Sequence, residues 1–317
     1  MIKKKRILCF NWNNILTDVS EELKNRGHQV ELRGLEIEGW EKFDTLVFWN
    51  EIEEQGWGEL IKKARKKGKK TILVQHGRRG TSRIFPPFNE GLKCDVICCW
   101  GEGDKKRLMA CGIEEERIFI TGCPLINKLR IREKHKGINV VFSPEHWSNP
   151  VPENLIIASE LRKLPSKYKV ITKCLKGEQD FRFYDNVVSS DRNDLSHLKI
   201  VADILAIADV VVGVSESTFE MFAEYLDIPV VAFTHWIPKA AAGDERYREY
   251  KRIYSDGCYQ IEDINKLNKA IIKAARHPKR LRKERFQVVI DDAGIMITDP
   301  VKKMANVIEG KKYGTNY

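Results

Sequence analysis

Ile204-Leu205-Ala206-Ile207-Ala208-Asp209-Val210-Val211-Val212-Gly213 is the stretch that decides the fold class. It reads as the end of an apolar helix, a polar break, and a short run of β-branched residues closed by glycine. The chain continues as Val214-Ser215-Glu216-Ser217-Thr218-Phe219-Glu220 and then Asp227-Ile228-Pro229-Val230-Val231. The spacing predicts helices over 197–208 and 218–226, and strands over 210–214 and 229–233. A strand that is apolar at every position, not at alternate ones, is covered on both faces. Strands of that kind separated by helices belong to βαβ units in a mainly parallel sheet.

The same alternation extends outward in both directions. Upstream it predicts strands over 6–10, 29–32, 45–49, 70–75, 95–100 and 117–121, with helices over 17–26, 57–67 and 104–111. The polar stretch Lys134-His135-Lys136-Gly137 interrupts the pattern and reads as a linker. A second series then starts, with strands over 139–143 and 169–173 around a helix over 154–164. Helices over 264–276 and 300–308 close the chain. Two α/β halves are therefore expected: 1–135, and 136–298 followed by a terminal helix and tail, 299–317. A length of 317 residues agrees with about two domains.

Composition removes several classes. With 42% hydrophobic and 32% charged residues the chain has enough apolar side chains for two cores and is not generally disordered. No apolar stretch approaches the roughly 20 residues that cross a bilayer. The basic start is followed by only Ile7-Leu8-Cys9-Phe10, too short for a signal-peptide core, so a cytoplasmic location is expected. Eight cysteines without a CxxC pair read as small buried hydrophobes in a reducing compartment. The net charge of +10, of which +7 falls within 1–135, favours polyanionic partners: phosphates, nucleic acid or an anionic membrane surface. The densest basic run, residues 62–70, reads as a solvated helix end.

Ligands of open parallel sheets bind beyond the carboxyl ends of the strands. In the first half that position holds Gln75-His76-Gly77-Arg78-Arg79-Gly80. His76 could act as a base near neutral pH, Gly77 lets a ligand approach the backbone, and Arg78, Arg79 and Arg83 could hold phosphate or an anionic acceptor. A polar turn whose histidine caps the sheet edge explains the same residues. In the second half, Ser215, Ser217 and Thr218 precede a helix, an arrangement that binds phosphate. Glu220 could accept ribose hydroxyls, or complete a capping box with Ser217. Lys173, at the end of a strand, could neutralise a diphosphate. His146 and Trp147 follow another strand end, where His146 could meet a leaving phosphate. No Walker loop, GxGxxG, HExxH or GxSxG pattern is present, and no DxD carboxylate pair implies a metal.

Taken in order, these residues resemble a known group. The strand before His76-Gly77, the stretch Cys94-Asp95-Val96-Ile97-Cys98-Cys99-Trp100-Gly101, and Arg117-Ile118-Phe119-Ile120-Thr121-Gly122-Cys123-Pro124 resemble the first domain of GT-B transferases. The likeness is nearest to CDP-glycerol glycerophosphotransferase-like and UDP-N-acetylglucosamine 2-epimerase-like families. The stretch opened above, with Ser215–Glu220 and 227–231, resembles their nucleotide-binding half. The resemblance spans roughly residues 70–235. It implies two Rossmann-like domains facing a central cleft, with the C-terminal helix crossing back to the first. It also implies a nucleotide-activated donor, UDP-sugar or CDP-linked, as substrate and no cofactor. Ser217 and Thr218 would hold its phosphates, Glu220 its ribose, and His76 would face the acceptor as base. The expected activity is metal-independent transfer of a sugar, with a polyol phosphate as second choice, to a hydroxyl acceptor. Anionic polymers, glycan or nucleic acid, are among the candidate acceptors, and peripheral membrane contact is left open. A sugar-nucleotide epimerase of the same fold is the alternative activity.

Overall fold

Short runs of valine, isoleucine and leucine set the strands in the computed structural model of the chain, which describes residues 4–11, 14–49, 57–77, 93–144, 152–176, 182, 184–191, 196–214, 217–233 and 256–311. Contacts divide it into two units. The first comprises Met1–Gly77, Ile84–Leu125 and Ile290–Tyr317, and the second contains Ile126–Val289.

In the first unit the strands are β1 (Arg6–Phe10), β2 (Gln29–Arg33), β3 (Thr45–Phe48), β4 (Lys70–Val74), β5 (Val96–Cys99) and β6 (Ile118–Ile120). They pair in the order β2-β1-β3-β4-β5-β6, every pairing parallel. The helices α1 (Thr17–Asn25), α2 (Trp57–Lys66) and α3 (Glu102–Ala110) connect them. Cys9, Cys98 and Cys99 are fully buried in these strands. All eight cysteines are unbridged thiols, and burial pushes Cys9 and Cys98 up to about 12.

The second sheet is built from β7 (Ile138–Ser143), β8 (Tyr168–Leu175), β9 (Val187–Ser190), β10 (Val210–Gly213), β11 (Val230–Phe233) and β12 (Cys258–Ile261). Its order is β12-β11-β10-β7-β8-β9, again parallel throughout. Counted along this unit, that is the doubly wound nucleotide-binding order 3-2-1-4-5-6, whose direction of winding reverses between β7 and β10. The helices here are α4 (Pro152–Leu161), α5 (His197–Ala206), α6 (Thr218–Tyr225), α7 (Leu267–Arg276) and the first part of α8 (Arg282–Ala293).

The division falls at Leu125/Ile126 and not at 135/136. The residues leading into the polar stretch read as a linker are tied to the second unit. Glu133 N–H donates to Ala206 O at 2.8 Å, and Arg130 and Arg132 pair with Asp203 and Asp209 at 2.8 and 2.9 Å. The chain returns to the first unit at Ile290, within α8, a helix the apolar pattern had not indicated.

The last helix, α9 (Pro300–Glu309), packs on α1 in the first unit. Asp299 caps its start by accepting Lys302 N–H, and Gly310 ends it at φ 82°. Met304, Ala305, Val307 and Ile308 are buried. At its end the buried Glu309 carboxylate accepts from His28 Nε2 (2.9 Å), Arg26 Nη1 (2.9 Å) and Lys311 Nζ (2.7 Å). Lys5 N–H donates to His28 Nδ1, so it is Nε2 that carries the proton toward Glu309. Burial works against the Glu309 carboxylate, but the hydrogen bonds from Lys311, His28 and Arg26 outweigh it and hold its pKa down at about 2.

A depressed carboxylate stabilises the fold fully above its unfolded pKa of ~4.3 and loses that contribution as pH falls. Glu309→Gln should therefore lower stability at pH 7 by about 2–4 kcal/mol. Urea midpoints should show the gap between variant and parent closing as pH drops from 5 toward 2. A gap constant with pH would mean that the carboxylate's charge is not what anchors α9.

Candidate functional site

At the carboxyl edge of the second sheet, Ser143 of β7 and Gly213 of β10 are register partners on either side of the reversal point. Beyond β10, Ser217 is the N-cap of α6, held extended at φ −90°, ψ 167°. Ser217 Oγ accepts Glu220 N–H (3.4 Å) and Glu220 Oε2 accepts Ser217 N–H (3.0 Å), so the capping box is formed. The first intrahelical bond runs from Met221 N–H to Ser217 O. The N–H groups of Thr218 and Phe219 therefore lie ahead of the helical ladder, at the positive end of the helix dipole. Ser217 and Thr218 are half-buried, and Glu220 is fully buried.

Gly213 is required here by a close approach. A Cβ on it would lie 1.9 Å from Glu220 Oε1, so the carboxylate rests directly on the end of β10. From the neighbouring end of β8, Lys173 reaches the same place. It is 8% exposed, and its ammonium lies 5.7 Å from the centre of the Phe219 ring, in the first turn of α6. Its stem is buried in the sheet edge while its charge sits at the helix start. Lys173 thus lies against Phe219 in the first turn of α6, and Ser217 and Glu220 are joined in the cap that Thr218 follows. Ser215 and His146 lie outside the described residues.

In the first unit the reversal falls between β1 and β3. Trp49 follows β3, and His76 follows β4 next to it. His76 Nδ1 lies 2.9 Å from Trp49 O, with the two rings edge to face at 5.0 Å. A carbonyl only accepts, so Nδ1 carries the proton and, in the neutral ring, Nε2 carries the lone pair. His76 is exposed. Trp49 is itself fixed against Trp57, which packs with Phe10 and Phe48 in the core. Arg78, Arg79 and Arg83 lie outside the described residues.

Beneath His76-Gly77 is a buried polar group that sequence reasoning missed. Gln75 Nε2 donates to Gly77 O (2.9 Å) and to Asp104 Oδ2 (2.7 Å), and its Oε1 accepts Trp100 N–H (2.9 Å). Arg107 Nη2 donates to both Asp104 (2.8 Å) and Asp292 (2.7 Å). Burial acts to lower the Arg107 pKa, but the two carboxylates outweigh it and the guanidinium is held charged. No local motif announces this set, because its members are scattered from residue 75 to residue 292.

No family model and no curated protein matches this sequence. Solved structures do match. UDP-GlcNAc 2-epimerase from Neisseria meningitidis bound to UDP-GlcNAc has TM-score 0.63 at 10% identity, over 96% of this chain and 99% of that one. A glycosyltransferase from Rickettsia africae has TM-score 0.55 at 9% identity, over 98% and 100%. HepE from Anabaena in complex with UDP-glucose has TM-score 0.55 at 11% identity, over 96% and 100%. At these identities the likeness is one of fold: two parallel Rossmann-like sheets of the GT-B type. Among the described residues no helix is long and apolar enough to cross a membrane.

Proposed function

We propose that the protein is a nucleotide-sugar-dependent glycosyltransferase of the GT-B type. The observation that carries the reading is the convergence of Lys173 with the start of α6 at the reversal point of the second sheet. A cation and a helix N-terminus at that point are suited to a diphosphate. Solved proteins of the same fold hold UDP-GlcNAc or UDP-glucose. In this reading Ser217 and Thr218, joined by Ser215, donate to the diphosphate, and Lys173 balances its charge. Glu220 keeps the cap through Oε2 and is the residue assigned to the ribose hydroxyls. His146 assists the departing phosphate. The first unit supplies the base: His76 Nε2 takes the proton of the acceptor hydroxyl, and the resulting imidazolium keeps its Nδ1–H bond to Trp49 O. Gly77, Arg78, Arg79 and Arg83 receive an anionic acceptor, and the basic balance of residues 1–135 fits such a partner. Departure of the nucleoside diphosphate is stabilised electrostatically, so the chain needs no covalent intermediate.

A panel of UDP- and CDP-linked donors read by thermal shift should give a rise for at least one, since a ligand bound only by the folded state raises its melting temperature. No shift with any donor would overturn the proposal. The epimerase alternative draws on the higher TM-score of the Neisseria structure, and release of an epimer from the donor without acceptor would establish it. Glu220→Gln tests the ribose contact. Glutamine retains an acceptor for Ser217 N–H, so the fold should be little changed while nucleotide affinity falls about 10–100-fold. Unchanged affinity with a lower melting temperature would leave Glu220 as a helix cap alone.

A further inference from the structure

We propose that Gln75 is a positioning residue for His76, fixing the proton of the imidazole on Nδ1 through its hold on the Gly77 carbonyl. The proposal rests on the reading of His76 as base, and its test separates the two.

The Gln75 amide uses each of its groups in one direction only. One oxygen accepts from Trp100 N–H, and the nitrogen donates to Gly77 O and to Asp104. Gln75 N–H also donates to Cys98 O at 3.0 Å, so backbone and side chain are both pinned to β5 and the residue after it. The side chain is 2% exposed, and no other residue type of similar size supplies two donors and an acceptor in this pattern. The bond to Gly77 O bridges His76 from either side and sets the path of its backbone. That path brings Nδ1 to the Trp49 carbonyl. A neutral histidine in solvent favours the proton on Nε2, which would leave the lone pair on the wrong nitrogen for a base facing outward.

The orientation of the amide is fixed from behind. Asp104 is fully buried and accepts from both Gln75 and Arg107, so Gln75 must present nitrogen to it and oxygen to Trp100. Arg107 is held in turn by Asp292, from the segment that returns to this unit. The chain of bonds Asp292, Arg107, Asp104, Gln75, Gly77 thus ends on the residue beside the proposed base.

Two variants test it. Gln75→Glu removes both donors and sets two carboxylates against each other. Gln75→Glu with Asp104→Asn restores a donor facing an acceptor at that contact but still has nothing to give Gly77 O. The double variant should therefore fold, as judged by its circular dichroism and cooperative unfolding, even where the single one does not. Nitrogen-15 spectra of the imidazole, assigned with His76→Asn, should show the parent protonated at Nδ1 and the double variant shifted to the Nε2 form. Turnover in the double variant should fall roughly 10–100-fold, the scale of a small misplacement of a reacting group. KM should stay within about twofold. An unchanged Nδ1 form in a folded double variant would overturn the inference. A shifted form with undiminished turnover would uphold the positioning and refute His76 as base.

Discussion

His76→Ala is expected to reduce turnover by roughly a hundred- to ten-thousand-fold, the range for loss of a positioned proton acceptor. Donor affinity should remain near that of the parent, because the nucleotide is assigned to residues of the second unit. Steady-state kinetics with a saturating acceptor, together with calorimetry of the donor, would read both quantities. The expectation follows from two facts: His76 is exposed, and its Nδ1–H donates to Trp49 O at 2.9 Å. His76→Asn is the control. Asparagine can still donate to Trp49 O but cannot accept a proton at neutral pH. Retention of most activity by His76→Asn would show that the side chain only ties the loop to β3.

The largest effect on stability is expected at Gly294. This residue has φ +62°, and a Cβ built on it would lie 2.1 Å from Trp100 O. The obstacle is backbone at the end of β5, which cannot rotate away. Gly101, opposite, is as tightly placed, with Asp291 O 1.9 Å from its Cβ position. Between them Cys123 N–H donates to Ala293 O at 2.9 Å. Gly294→Ala combines left-handed backbone strain with overpacking, so it should cost about 3–5 kcal/mol. A chemical-denaturation midpoint would measure this, and a loss below about 1 kcal/mol would mean that the contact relaxes easily. Because the contact lies beside Asp292, the variant should also disturb the bonds behind Gln75.

Much of the fold was legible because a parallel strand covered on both faces must be apolar along its whole length. β1, β3, β4, β7 and β10 are of this kind, and their expected and observed limits agree closely. The three elements that were missed share a physical reason. β9 and β12 are edge strands of the second sheet, and Val187-Val188-Ser189-Ser190 and Cys258-Tyr259-Gln260-Ile261 carry polar residues accordingly. α8 has no clean apolar face: it buries Arg285, which pairs with Asp227 at 2.6 Å, while Phe286 beside it is exposed. The site divided in the same way. Lys173 and Ser217 could be found because one lies near the end of a readable strand and the other follows one. Gln75, Asp104, Arg107 and Asp292 could not, since their link is made only by tertiary packing.

Calorimetric titration of the nucleoside diphosphate, UDP or CDP, whose donor gives the largest thermal shift, into the parent and into Lys173→Met tests the central claim most directly. Methionine keeps the buried stem and removes only the charge at the start of α6. The account predicts one site in the parent and about 10–100-fold weaker binding in the variant, the loss expected for a charge-assisted contact to phosphate. Equal affinity in both proteins, or no binding to either, would contradict it.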